Sequence, residues 1–127
     1  MIKLLQYIFF LLSSVHPRIY QERVPEKDMT TGKPPQFPYL VFNLKNVDNS
    51  DARDDNILEI DIWNNKPQDT MEIETIGDSI EAVFNNAKHT NSNFQASFYK
   101  LTRIPVTDPD KNIRRRQLRY QVKVYYK

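Results

Sequence analysis

The chain has 127 residues, with 18 Lys and Arg against 16 Asp and Glu, a formal net charge of +2, and 39% hydrophobic residues. That is one domain's length, too apolar and evenly charged for a disordered chain and too polar for a bundle of membrane spans. With no cysteine, two distant histidines (His16 and His89) and two isolated glycines (Gly32 and Gly77), disulfide scaffolds, thiolate zinc sites, thiol nucleophiles and glycine-rich phosphate loops are excluded.

Residues 2–12 are almost all apolar, interrupted by Lys3, Gln6 and Tyr7. Ile2, Leu5, Phe9 and Leu12 recur at helical spacing, and Leu4, Ile8 and Leu11 lie on an adjoining face. The pattern predicts a domain helix, with a secretory leader as the rival. Gln6, Tyr7 and the lack of a small-x-small cleavage site weigh against the leader. Pro17 marks the helix exit. Residues 18–24 read as a short strand, and 24–38 as a long, mobile, proline-rich loop containing Lys33, Pro34, Pro35 and Phe37.

Strands are expected at 39–45, with Leu40, Phe42 and Leu44 on one face, and at 57–63, with Leu58, Ile60 and Ile62 inward and Glu59 and Asp61 outward. Asp69 reads as an N-cap with Glu72 closing a capping box. The following helix has Ile73, Ile76, Ile80, Val83 and Phe84 on its apolar face, and close packing on the sheet would explain Gly77 in its middle. Strands at 94–104 and 114–126 complete the chain, the last with Leu118, Tyr120, Val122, Val124 and Tyr126 on one side. The expectation is a single α+β domain over 1–127, in the order α-β-β-β-α-β-β. Its sheet would be mainly antiparallel, with the helices packed on it.

The small net charge hides a division. Residues 1–87 hold 8 basic and 14 acidic side chains, and residues 88–127 hold 10 basic and 2 acidic. The acidic part includes Asp51, Asp54 and Asp55; the basic part peaks at Arg114, Arg115 and Arg116 and continues with Arg119. Three uses stay open for the arginines: a solvated hairpin that resists aggregation, salt-dependent contact with nucleic acid, or a head-to-tail contact between copies. On a strand Arg115 points away from Arg114 and Arg116, so the run is not one basic face. Glu59 and Asp61 share a strand face, but 16 acidic residues make such pairs common by chance. No serine lies in an activating motif. The sequence therefore points away from an enzyme and calls for no cofactor or metal.

The order of these features resembles the small tail-completion, or tail-terminator, proteins of long-tailed bacteriophages and prophages. An apolar N-terminal helix leads to Arg18-Ile19-Tyr20 and then Val24-Pro25. A proline-rich gap precedes Pro38-Tyr39-Leu40-Val41-Phe42, a strand ending at Trp63 precedes the amphipathic helix, and a polar turn leads to an aromatic-rich last strand. The departures are the very apolar 8–12 run and the scarcity of glycine.

The resemblance implies a non-enzymatic structural protein of the virion tail or neck, assembled in the host bacterial cytoplasm. It implies a homo-oligomeric ring, commonly a hexamer, at the head-proximal end of the tail tube, with the tube protein and a head connector as partners. Nucleic acid would be met only through the ring lumen, and no membrane is involved. The expected contacts between copies are Arg114, Arg115, Arg116 and Arg119 against Asp51, Asp54 and Asp55. The alternatives are another neck or stopper protein, and a secreted β-rich binding protein with a cleaved leader.

Overall fold

A computed structural model describes residues 2–22, 36–49 and 53–127. Helix α1 (Ile2–Ser13) leads to the short strand β1 (Ile19–Gln21). Strands β2 (Tyr39–Asn49) and β3 (Arg53–Asn64) precede helix α2 (Met71–Phe84), and β4 (Lys88–Thr90), β5 (Phe94–Val106) and β6 (Arg114–Tyr126) follow. The fold is α+β with a six-stranded sheet in the order β1-β2-β3-β6-β5-β4.

Two features correct the expected order. Residues 88–90 form an additional strand, because Lys88, His89 and Thr90 pair with the start of β5. The sheet is also mixed: β1 runs parallel to β2, while the pairings β2/β3, β3/β6, β6/β5 and β5/β4 are antiparallel. The reason lies in the connection. Antiparallel neighbours can be joined by a tight hairpin, whereas parallel neighbours need a longer connection, and the sequence between Gln21 and Tyr39 is long enough to supply one.

One face of the sheet and the inner sides of both helices form a single apolar cluster. Leu40, Phe42, Leu58, Ile60, Ile62, Leu118, Tyr120, Val122 and Val124 are almost completely buried, as period-two alternation predicts. Ile73, Ile76, Ile80 and Phe84 of α2 are also buried, and Phe84 packs edge-on against Phe98 with ring centroids 5.2 Å apart. Each such side chain stabilises the fold by roughly 1.5–3 kcal/mol relative to exposure. Tyr126 departs from the expected stripe and is exposed, because it lies at the end of the last strand.

The N-terminal segment forms helix α1, and its Leu4, Ile8 and Leu12 have no exposed surface and belong to the same core. The face centred on Leu4 and Ile8 turns inward, whereas Ile2 and Phe9 of the alternative stripe point outward.

Helix α2 begins without the expected capping box. Thr70 is the N-cap residue and makes no side-chain cap hydrogen bond. The Met71 amide donates instead to Asp69 Oδ1 at 3.0 Å, and Glu72 turns away to accept from Asn64 Nδ2 at 3.1 Å and Lys66 Nζ at 3.0 Å. The helix ends at the Asn85-Asn86 pair. Asn86 adopts φ 55°, a left-handed geometry that asparagine tolerates better than most residues.

Candidate functional site

The strand pairing brings the acidic and basic parts of the sequence side by side. Strand β3 carries Asp54, Asp55, Glu59 and Asp61, and its neighbour β6 carries Arg115, Arg116, Arg119 and Lys123, with Glu59 opposite Arg119 and Asp55 opposite Lys123. The expected alternation of the arginines is present. Arg114 and Arg116 turn to the helix side, where Arg114 Nη2 donates to the Pro67 carbonyl at 3.1 Å and Arg116 Nε pairs with Glu74 at 2.6 Å. Arg115 lies on the opposite face, 4.0 Å over the Trp63 ring and 3.5 Å from Asp61 Oδ1. Burial raises the Asp61 pKa, and the Arg115 charge opposes that rise. Asp55 pairs with Arg53 at 3.2 Å. Arg119 is half-buried, and its Nε lacks a hydrogen-bond partner. Asp51, Lys33, Pro34 and Pro35 lie outside the described residues; Phe37 is half-buried, with its ring 5.0 Å from that of Tyr39.

Among the described residues, the largest ion cluster was not legible as a site. Arg103 Nη1 reaches Asp78 at 2.8 Å and Glu81 at 3.1 Å, while Nη2 reaches Glu74 at 2.6 Å. A register shift between Lys100 and Thr102 puts it there. Strict alternation from Phe94, Ala96 and Phe98 would leave Arg103 on the far side; the irregularity reverses the parity, so Arg103 pairs with Leu118 on the helix side. Gly77 makes the seat: a β-carbon there would stand 2.7 Å from Arg103 Nη2. Helix–sheet proximity does explain this glycine, and the neighbouring group is a guanidinium. The available signal was the spacing of Glu74, Asp78 and Glu81 around Gly77, which stacks three carboxylates on one helix side.

This cluster gives the fold an acid limb. Burial pushes the Glu74 pKa upward, but hydrogen bonds from Arg116 and Arg103 outweigh burial and hold it below its ordinary value. A carboxylate whose folded pKa is depressed stabilises the fold above its unfolded value, near 4.5, and loses that contribution as pH falls through the folded value. Urea midpoints measured from pH 6 to pH 3 are expected to fall less steeply for Glu74→Gln than for the parent. Equal slopes would show that Glu74 does not carry the limb.

Two kinds of surface remain without partners among the described residues. The outer side of α1 exposes Ile2 (70%), Phe9 (46%) and Phe10 (70%) beside a groove of about 460 Å³ lined by Ile2, Leu5, Gln6, Phe9 and Gln21. The sheet also has two incompletely covered edges. Strand β1 pairs only with Leu40–Phe42 of β2, and β4 only with Gln95–Ser97 of β5. The β5 edge beyond Phe98 carries the exposed apolar residues Tyr99, Leu101 and Ile104. A long apolar edge of this kind is a template for strand pairing and is normally shielded. The described residues contain no group of three or more metal-ligating side chains, and no helix is long and apolar enough to cross a membrane. His89 accepts a hydrogen bond from the Tyr7 hydroxyl or donates one to it, joining α1 to β4.

No protein-family model and no curated protein matches the chain. Seven solved chains do match, one of them in a structure described as the virion of a native gene transfer agent particle. The TM-score is 0.67 at 11% identity, over 90% of this chain and 84% of that one. The two chains share a fold. At that identity the likeness concerns the fold alone.

Proposed function

We propose that this chain is a structural virion protein that forms an oligomeric ring, a hexamer in its simplest form, at the head-proximal end of a phage tail tube and mediates head–tail joining. The observation that carries the reading is the fold shared with a chain of the gene transfer agent virion over 90% of this chain. The ordered sequence features that resemble tail-completion proteins supply the finer assignment to the tail end. Exposed apolar residues on α1 and an apolar open strand edge suit a subunit that completes its burial on assembly. In this reading the chain is not an enzyme. Its partners are further copies, the tube protein and a head connector, and DNA passes only through the lumen.

Native mass spectrometry and sedimentation of the purified chain, alone and with its cognate tube protein, test the proposal. The expected result is a closed ring of one defined size that binds tube ends and halts tube elongation. A ring that binds only the portal side would identify another neck protein. A chain that stays monomeric and leaves tube growth unchanged would refute the proposal. Charge reversal at Arg114, Arg115 and Arg116 together is a poor probe, because Arg116 pairs with Glu74 and Arg115 with Asp61 inside the chain. Arg119→Glu breaks neither of those pairs and is the better variant.

A further inference from the structure

The two sheet edges are complementary steps. Register rows run across the whole sheet. One row is Tyr20–Val41–Asp61–Gln117–Ile104, and another is Lys88–Ser97–Lys123–Asp55–Asp48. Strand β1 thus projects from the β2 edge at the end of the sheet where the β5 edge is bare. Strand β4 projects from the β5 edge at the opposite end, where β2 is bare beyond Phe42 among the described residues. Each edge has a three-residue projection and a recess, and the projection of one edge lies level with the recess of the other.

Direction agrees with shape. The long strands β2, β3, β6 and β5 are joined by antiparallel pairings, so β5 runs opposite to β2. A copy rotated about an axis along the strands keeps its directions. Its β1, parallel to its own β2, then meets β5 of the first copy antiparallel.

We propose that copies of this chain join head to tail through these edges. In this joint β1 of one copy pairs with the Arg103–Pro105 stretch of β5 on its neighbour, while β4 of that neighbour fills the recess along β2. One continuous sheet then runs around the assembly, covering Ile104, which is 44% exposed in the single chain. The proposal rests on the ring reading above and names the contact that makes the ring. The occupant is a second copy of this chain, because both halves of the joint are edges of the same sheet. The stepped β5 edge would also admit a two-fold pairing with itself, and the cross-linking below separates the two arrangements. A heterologous joint of this kind closes when its rotation divides a full turn.

Disulfide trapping tests the joint, and the absence of native cysteine keeps it unambiguous. The probe is the double variant Tyr20→Cys with Ile104→Cys. Within one chain these positions are four strand spacings apart, about 19 Å, too far to bridge. Across the joint they are neighbours at about 5 Å, within disulfide range. Oxidation of the assembled double variant is expected to give a covalent ladder up to the ring size. Either single variant is expected to give no cross-link, and a mixture of the two only dimers. Assembly without cross-links in the double variant overturns the edge joint while leaving the ring reading standing. Cross-linked dimers of one single variant overturn it in favour of two-fold pairing. A parent chain that never assembles overturns both.

Discussion

Replacing Ile8 by alanine is expected to cost about 2–5 kcal/mol of folding stability, since it removes a fully buried side chain and leaves a cavity. For a domain of this size the melting temperature falls by on the order of 10 °C. Phe10→Ala, two residues away on the outer side of the same helix, is expected to stay within about 0.5 kcal/mol. Urea denaturation of the two variants separates two identities for α1. If it is part of the domain, Ile8 shares the core with Leu4, Leu12 and the sheet, and the variants differ widely. If it is a leader only leaning on the domain, both substitutions are mild. A small effect at Ile8 would revive the secreted-protein reading. A loss of ring formation in Phe10→Ala without loss of stability would assign the exposed face of α1 to assembly.

The second large effect is a change of sign at Gly77. Glycine inside a helix costs roughly 1 kcal/mol against alanine, so Gly77→Ala should stabilise a typical helix by that amount. Here the new β-carbon would stand 2.7 Å from Arg103 Nη2. A free arginine would swing aside at little cost. This one is held by Glu74, Asp78 and Glu81, and its side chain is only 16% exposed. Asp78 is largely exposed and contributes little, whereas the pairs to Glu81 and Glu74 are better shielded. Gly77→Ala is therefore expected to destabilise the parent by about 1–2 kcal/mol, because charged hydrogen bonds are lost. In an Arg103→Ala background the same substitution is expected to stabilise by about 1 kcal/mol, as helix propensity alone would have it. The double-mutant cycle should give a coupling of about 2–3 kcal/mol. A coupling near zero would mean that Arg103 does not hold its seat against Gly77.

Periodicity carried much of the fold. Leu58, Ile60 and Ile62 on β3, and Leu118, Tyr120, Val122 and Val124 on β6, alternate so strictly that only a half-buried strand accommodates them. Ile73, Ile76, Ile80 and Phe84 specify an inward helix face in the same way. Such patterns are local, and burial enforces them residue by residue. The Asp69 cap misled because two competing partners for Glu72, Asn64 and Lys66, come from the preceding strand and loop. Capping boxes are read from four residues, while side-chain competition is settled by whatever the fold brings near.

The candidate assembly surfaces were less legible. The charge division along the chain, with Asp54 and Asp55 early and Arg115 and Arg119 late, suggests separate acidic and basic faces. Pairing of β3 with β6 interleaves them, since residues some 60 positions apart become neighbours about 5 Å away. Likewise, no local pattern marks the register shift near Leu101 that turns Arg103 toward α2.

By itself the sequence determined the composition limits, the helices and long strands, the inward-facing residues and the alternation of Arg114, Arg115 and Arg116, because these follow from burial and backbone period. Only the tertiary structure decided that β1 runs parallel to β2, that Lys88–Thr90 becomes a strand, that Gly77 makes room for a guanidinium, and that the sheet ends in two stepped edges. Those features depend on which distant segments meet and in what register, and loop closure and side-chain competition settle that only once the whole chain is folded.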